Sequence, residues 1–200
     1  MNIIDSIRVQ RFHQSRIADF GEESTQALGW KNFHSQQARF EMLEGIGDMN
    51  NCSVLDIGCG HGDLRAYLDD KYPQLRYMGI DNMEVFLDIA IARYAHLPDT
   101  VFFLGDCYNA ELPRMDYVLA SGSLIYHSSH PDFIYNIITK LFITCRIAFG
   151  FNLLSRVEVP DGILVAHNPQ VILEHCRTLT SNVVMHKGYI DDDFTIWMYK

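Results

Sequence analysis

Val54-Leu55-Asp56-Ile57-Gly58-Cys59-Gly60-His61-Gly62-Asp63-Leu64 is the stretch that decides the fold of this chain. The apolar run Ser53 to Ile57 stops on a glycine, as a buried parallel strand does. Three glycines then alternate at Gly58, Gly60 and Gly62. Without Cβ atoms they let the backbone turn sharply and approach a ligand. A helix begins at Asp63. The spacing is G-x-G-x-G, not the G-x-G-x-x-G of the dinucleotide fingerprint, which disfavours a nicotinamide-dependent oxidoreductase. The Gly-Lys-Ser/Thr ending of a phosphate-binding loop is missing as well.

Outward from this bend, strand and helix alternate. Helix over Asp63 to Lys71 ends before Pro73. A second strand runs from Arg76 to Ile80, a second helix from Met83 to Ala95, and a third strand from Thr100 to Leu104. Gly105 to Arg114 holds at most a helical turn. A fourth strand covers Tyr117 to Ala120, a long helix His130 to Cys145, a fifth strand Ile147 to Leu153, and a further helix Pro169 to Leu179. Two closing strands, Asn182 to Tyr189 and Phe194 to Tyr199, face each other across an acidic turn at Asp191, Asp192 and Asp193, which implies an antiparallel pair. The pattern predicts an α/β chain with a doubly wound, mostly parallel, seven-stranded sheet and an antiparallel C-terminal strand. Such a sheet binds ligands beyond the carboxyl ends of its strands.

Before Asn50 the chain reads as amphipathic helix, first over Ile4 to Asp19. A second helix is capped by Ser35, runs through Ala38, Phe40, Leu43 and Ile46, and ends near Gly45 or Gly47. Residues 1–50 are therefore expected to be helical, ahead of a single compact unit, 51–200.

Composition narrows the function classes. Apolar residues make up 48% of the 200 residues, enough for a continuous core, and the net charge of −9 repels nucleic-acid phosphates and anionic lipid. No DNA or membrane partner is expected, and the oligomeric state stays open. The five cysteines are odd in number and lack C-x-x-C spacing, so neither a disulfide framework nor a zinc site is expected and a cytoplasmic setting fits. Residues Met1 to Gln10 contain no signal-peptide core. The apolar run Phe133 to Phe151 is interrupted by Lys140 and Arg146 and reads as buried helix and strand, not as a membrane span.

The glycine segment resembles the first motif of the class I S-adenosylmethionine-dependent methyltransferases, and the resemblance extends over Cys52 to Lys200. It implies a Rossmann-like fold, S-adenosylmethionine as cofactor, and methyl transfer as the activity. It also implies that the helices of residues 1–50 form a lid. In that family the first loop wraps the methionine part of the cofactor, which assigns Asp56, Gly58, Cys59, Gly60 and Gly62 to it. Asp81, ending the second strand, takes the place of the family's acidic residue, whose carboxylate accepts from both ribose hydroxyls. N-capping of the next helix is the other role open to it. Asn82 and Met83 are expected beside the adenine. Asp106 would accept from the adenine amino group, with Cys107 supplying a backbone N–H. Ala120, Ser121, Gly122 and Ser123 would pass the methyl donor, their small size allowing close approach. No metal site is expected.

Arg39 is placed to pair with the cofactor carboxylate, or else lies on the surface of an amphipathic helix. Tyr126 and His127 follow the fourth strand near the expected methyl position and are the candidate general bases. His127 capping the next helix is the alternative. The Asn-Pro-Pro-Tyr tetrapeptide of DNA-amino methylators is absent. The chain also lacks a large inserted domain for reading a macromolecule, so the expected acceptor is a small molecule. A cofactor-binding protein without catalysis is the competing reading.

Overall fold

A computed structural model describes residues 1–159 and 162–200 of the chain. Seven strands form one sheet: β1 (Ser53–Ile57), β2 (Arg76–Asp81), β3 (Thr100–Leu104), β4 (Met115–Ala120), β5 (Cys145–Leu154), β6 (Val183–Lys187) and β7 (Asp193–Tyr199), in the order β3-β2-β1-β4-β5-β7-β6. β7 alone runs against the others, antiparallel to both β5 and β6. Among the described residues six helices accompany them: α1 (Ile3–Phe20), α2 (Phe33–Glu44), α3 (Asp63–Asp69), α4 (Glu84–Tyr94), α5 (Phe133–Thr144) and α6 (Pro169–Leu179). The architecture is the doubly wound one that the alternation predicts.

All five residues of β1 are buried, because β1 lies between β2 and β4 and is covered on both faces. Strand residues alternate between two cores. Leu55, Ile57, Val118, Ala120, Phe149 and Phe151 face α5 and α6. Val54, Tyr77, Tyr117, Leu119 and Ala148 face α2 and α3. On α5, Ile134, Ile137, Ile138 and Leu141 recur at the spacing of one helical face and are all buried. Full burial of each such side chain stabilises by about 1.5–3 kcal/mol.

Between β3 and β4 there is no helix, as expected for Gly105 to Arg114, and Val101 and Phe103 of edge strand β3 are left exposed. Boundaries shift by a few residues elsewhere. Helix α2 starts earlier than expected. Asn32 is its N-cap, and Ser35 sits at the third helical position, closing a capping box with it. Helix α5 starts at Phe133 because Ser129 to Asp132 form a turn through Pro131, and it passes into β5 with no intervening loop.

The chain runs outward from β1 to β2 and β3, then returns to β4 on the other side of β1. A crevice therefore opens at the carboxyl ends of β1 and β4. The two N-terminal helices relate to it differently. Phe40 and Leu43 anchor α2 in the core on the sheet, whereas Met1, Val9, Phe12 and His13, at the N-terminus and on α1, line the cavity in the crevice.

Helix α1 is held at its start by Asp5. The buried carboxylate accepts hydrogen bonds from the Ser129 amide (2.9 Å), the Ser129 hydroxyl (3.0 Å) and the Ser128 hydroxyl (3.1 Å). Burial alone raises this carboxyl's pKa. The hydrogen bonds from Ser129 and Ser128 outweigh it and hold the pKa below the ordinary value. A lowered folded-state pKa stabilises above the unfolded value of about 3.9, and the contribution is lost as pH falls through the folded one. In thermal melts from pH 7 to pH 3, the stability advantage over Asp5→Asn is therefore expected to be full at pH 7 and to shrink below about pH 4. A pH-independent difference contradicts it.

Candidate active site

Positive backbone angles build the bend after β1. Gly58 has φ +70° and Gly60 φ +53°, a left-handed conformation that side chains resist. A Cβ on Gly58 would lie 2.4 Å from Cβ of Ser123, so the β1 and β4 loops touch through the space that only glycine leaves. The bend is tied to β2, because the Gly58 amide donates to the Ile80 carbonyl (2.8 Å) and the Gly60 amide to the Asp81 carboxylate (2.9 Å).

Asp81 is thus a buttress as well as a cavity-lining acid. Its second oxygen accepts from the Met83 amide (2.9 Å) in the turn before α4; Met83 itself is the N-cap of that helix, with no side-chain cap, so the N-capping role anticipated for Asp81 is not the one it takes. Burial raises its pKa, and the amides of Met83, Gly60 and Asn82 counteract this only in part. Each carboxylate oxygen has a lone pair beyond the one used here, so a ligand hydroxyl can still be accepted. Asp56 lies deeper, with the Tyr77 hydroxyl donating to it. Its pKa rises to about 7. Burial is the main cause, the Tyr77 hydrogen bond opposes it, and the charges of Asp81 and Asp63 add to it.

One cavity gathers most of the residues singled out in the sequence. Asp56, Gly58, Cys59, Gly60, Asp81, Asn82, Asp106, Cys107, Ser121, Gly122, Ser123, Arg39 and Tyr126 all line it. The hydroxyl oxygens of Ser121 and Ser123 are buried there without a protein partner, which is how a site looks when a ligand is to supply the missing hydrogen bond. Asp106 accepts from the Tyr108 amide (2.9 Å) and the Asn109 side chain (2.6 Å), and so fixes the turn that carries Cys107.

Four expected contacts are corrected. Gly62 does not line the cavity; it starts α3 with φ +77°, packed against Tyr94 and Phe102. Met83 turns into a small cluster with Ala27 and Phe86. Ala120 is still within β4, where its methyl group joins the core under α5. His127 is exposed and off the cavity, because its backbone leaves the crevice to bond the Ile163 carbonyl (2.8 Å).

Arg39 lines the cavity, but its carboxylate partner is a protein side chain. Its Nε and Nη2 grip the two oxygens of Asp193, the second at 2.8 Å, and its guanidinium lies 5.0 Å from the Trp30 ring. Nη1, not engaged by Asp193, is left for a ligand. Asp193 is in turn not a solvated turn residue. It opens β7 and its side chain is 1% exposed, while Asp191 and Asp192 form the turn.

Sequence reading missed the wall contributed by α1 and the segment after it. Val9, Phe12, His13, Leu28 and Trp30 line the cavity, opposite Phe86, Tyr108 and Leu164. One signal was available. Asp5, Val9 and His13 recur every four residues on the buried face of α1, so two polar side chains sit where only apolar ones are expected. His13 Nδ1 lies 3.0 Å from the Ala27 carbonyl, and its Nε2 lies 3.0 Å from the Tyr126 hydroxyl.

Comparison with known proteins agrees with this geometry. Residues 54–141 match the family model described as a methyltransferase domain. Trans-aconitate 2-methyltransferase of Escherichia coli O6:K15:H31 (strain 536 / UPEC) is 29% identical over 163 residues, covering 80% of this chain and 57% of that protein. The chain thus spans a little over half the length of the curated relatives it matches. In fold it resembles magnesium protoporphyrin IX methyltransferase (ChlM) from Synechocystis PCC 6803 with bound SAH, at TM-score 0.69 and 16% identity over 96% of this chain and 95% of that one. The DhpI–SAH complex gives TM-score 0.69 at 13% identity with the same coverage. The glycine bend, the carboxylate at the end of β2 and the sheet order are all in place, and residues 54–141 of the chain are similar to the methyltransferase domain family.

Proposed function

We propose that this chain binds S-adenosylmethionine in the crevice between β1 and β4 and transfers its methyl group to a small-molecule acceptor in the cytoplasm. The observation that carries the reading is the joint placement, on one cavity, of the Gly58–Gly60 bend, the Asp81 carboxylate and the unpartnered hydroxyls of Ser121 and Ser123. Asp81 is assigned to the ribose hydroxyls, the bend with Asp56 to the methionine portion, and Asn82, Asp106 and Cys107 to the adenine. The bound cofactor supplies a methyl group on a sulfonium, already electrophilic.

What remains for the protein is placement. Holding two reactants in line is worth about 7–11 kcal/mol of barrier. The aromatic wall of Phe12, Trp30, Phe86 and Tyr108 excludes water and tolerates dispersed positive charge. Helix α1 and the residues up to Trp30 serve as the lid, while α2 is its fixed base. A low charge cost for binding a cation is consistent with the carboxylates of Asp63, Asp81 and Asp106 on the cavity wall.

The test is isothermal titration with S-adenosylhomocysteine. Asp81→Ala is expected to weaken binding by about 1–3 kcal/mol, the worth of charged hydrogen bonds left unmade. Unaltered affinity would remove the ribose assignment. Formation of S-adenosylhomocysteine from S-adenosylmethionine separates an enzyme from a cofactor-binding protein without catalysis.

A further inference from the structure

We propose that His13 and Tyr126 form a buried proton relay, and that the acceptor methylated in this cavity is therefore a neutral proton-bearing group, such as an alcohol or a phenol, and not a carboxylate. The inference rests on the methyl-transfer reading and adds the acceptor class and the fate of its proton.

The hydrogen-bond chain has a direction. A carbonyl oxygen only accepts, so the contact of His13 Nδ1 with the Ala27 carbonyl places a proton on Nδ1. In the neutral ring Nε2 is then the acceptor, and the Tyr126 hydroxyl donates to it across 3.0 Å. Burial favours that neutral state. It lowers the His13 pKa, the Ala27 hydrogen bond opposes this, and the Arg16 charge adds to it. The charged groups that act on Tyr126 are Asp81, Arg39 and Arg16, and burial is the largest influence holding its phenol protonated. Phe12 and Phe86 pack edge-on against the imidazole, with centroids at 5.2 and 5.3 Å, so the ring is fixed in place. Both partners line the cavity.

A relay of this kind balances only for a protic nucleophile. The acceptor hydroxyl gives its proton to the Tyr126 oxygen as Tyr126 passes its own to His13 Nε2. The electron pair freed on the acceptor oxygen forms the new bond to the methyl carbon. The sulfur keeps the pair of the broken carbon–sulfur bond and becomes a neutral thioether. His13 ends as an imidazolium, its Nδ1 proton still donated to the Ala27 carbonyl, until the proton taken up on Nε2 leaves to solvent. A carboxylate acceptor has no proton to give and leaves this pair idle.

Charge points the same way. Arg39 is the only Lys or Arg side chain among the described residues lining the cavity, and Asp193 already matches it, whereas Asp81 and Asp106 line the same wall with no salt-bridge partner among the described residues. A di- or tricarboxylate enters such a field at a cost. The trans-aconitate of the named relatives is a poor fit to this lining, whatever those proteins do.

The test uses the full chain saturated with S-adenosylhomocysteine and labelled with ¹⁵N in its histidine rings. At pH 7 the His13 spectrum is expected to show a protonated Nδ1 and an unprotonated Nε2, with the Nε2 resonance shifted by Tyr126→Phe. An imidazolium, or a proton on Nε2, overturns the relay. With trans-aconitate as probe acceptor, no S-adenosylhomocysteine is expected to form from S-adenosylmethionine. Its turnover overturns the proton-bearing acceptor class. Failure of the unlabelled wild-type chain to bind S-adenosylhomocysteine in a calorimeter is a different result and overturns the methyl-transfer reading itself.

Discussion

Replacing Asp193 by alanine is expected to lower the unfolding free energy by about 3–5 kcal/mol, the cost of leaving a largely buried charge without its partner. Asp193 is 1% exposed and Arg39 11% exposed at the side chain, so little water reaches the guanidinium to replace the lost carboxylate. The pair joins α2 to the first residue of β7, elements more than 150 positions apart, and both of its hydrogen bonds are lost together. Trp30, stacked on Arg39, does not compensate; without Asp193 it packs against an unneutralised cation. A double substitution, Arg39→Met with Asp193→Leu, removes both charges and is expected to recover most of the stability. Asp192→Ala is the control. Asp192 pairs with Arg156, whose side chain is 74% exposed, and such surface pairs are worth about 0–1 kcal/mol. Urea unfolding midpoints at constant slope measure all three, and equal shifts for Asp193→Ala and Asp192→Ala would refute the buried role.

That pair also shows where sequence reading stops. The Ser53-to-Asp63 segment is legible because everything that shapes it is local: an apolar run, glycines where φ is positive, and a helix start. The sheet order follows from the alternation of elements, and β3 lies at an edge in the way the missing helix before β4 allows. Asp193 looks like its neighbours Asp191 and Asp192 in a string of three acids, and only the register of β7 against β5 turns it inward. Tyr126 and His127 are adjacent in sequence and equally plausible as bases. The chain direction after Ile125, set by pairing with residues 163–165, sends one into the cavity and the other to solvent. His13 is further from reach still. Its partner Tyr126 is 113 residues away, so α1 acquires meaning only when it is seen lying across the crevice.

Gly58→Ala is expected to abolish measurable binding of S-adenosylhomocysteine and to destabilise the fold by about 3 kcal/mol. Two costs combine. A left-handed angle of +70° costs an alanine about 1–2 kcal/mol, and its Cβ would meet Cβ of Ser123 at 2.4 Å. An overlap of that size forces a backbone shift worth a further 1–3 kcal/mol or so. The shift falls on the site itself. The Gly58 amide is fixed to the Ile80 carbonyl and the Gly60 amide to Asp81, so the bend cannot move off Ser123 without pulling on that carboxylate. Gly188→Ala separates the two costs. Gly188 has φ +83°, yet a Cβ there meets nothing within 4 Å, so only the conformational part applies and ligand affinity should not change. If Gly58→Ala behaves like Gly188→Ala in both melting temperature and calorimetric affinity, the bend is a plain turn and the cavity it borders is not where the cofactor sits.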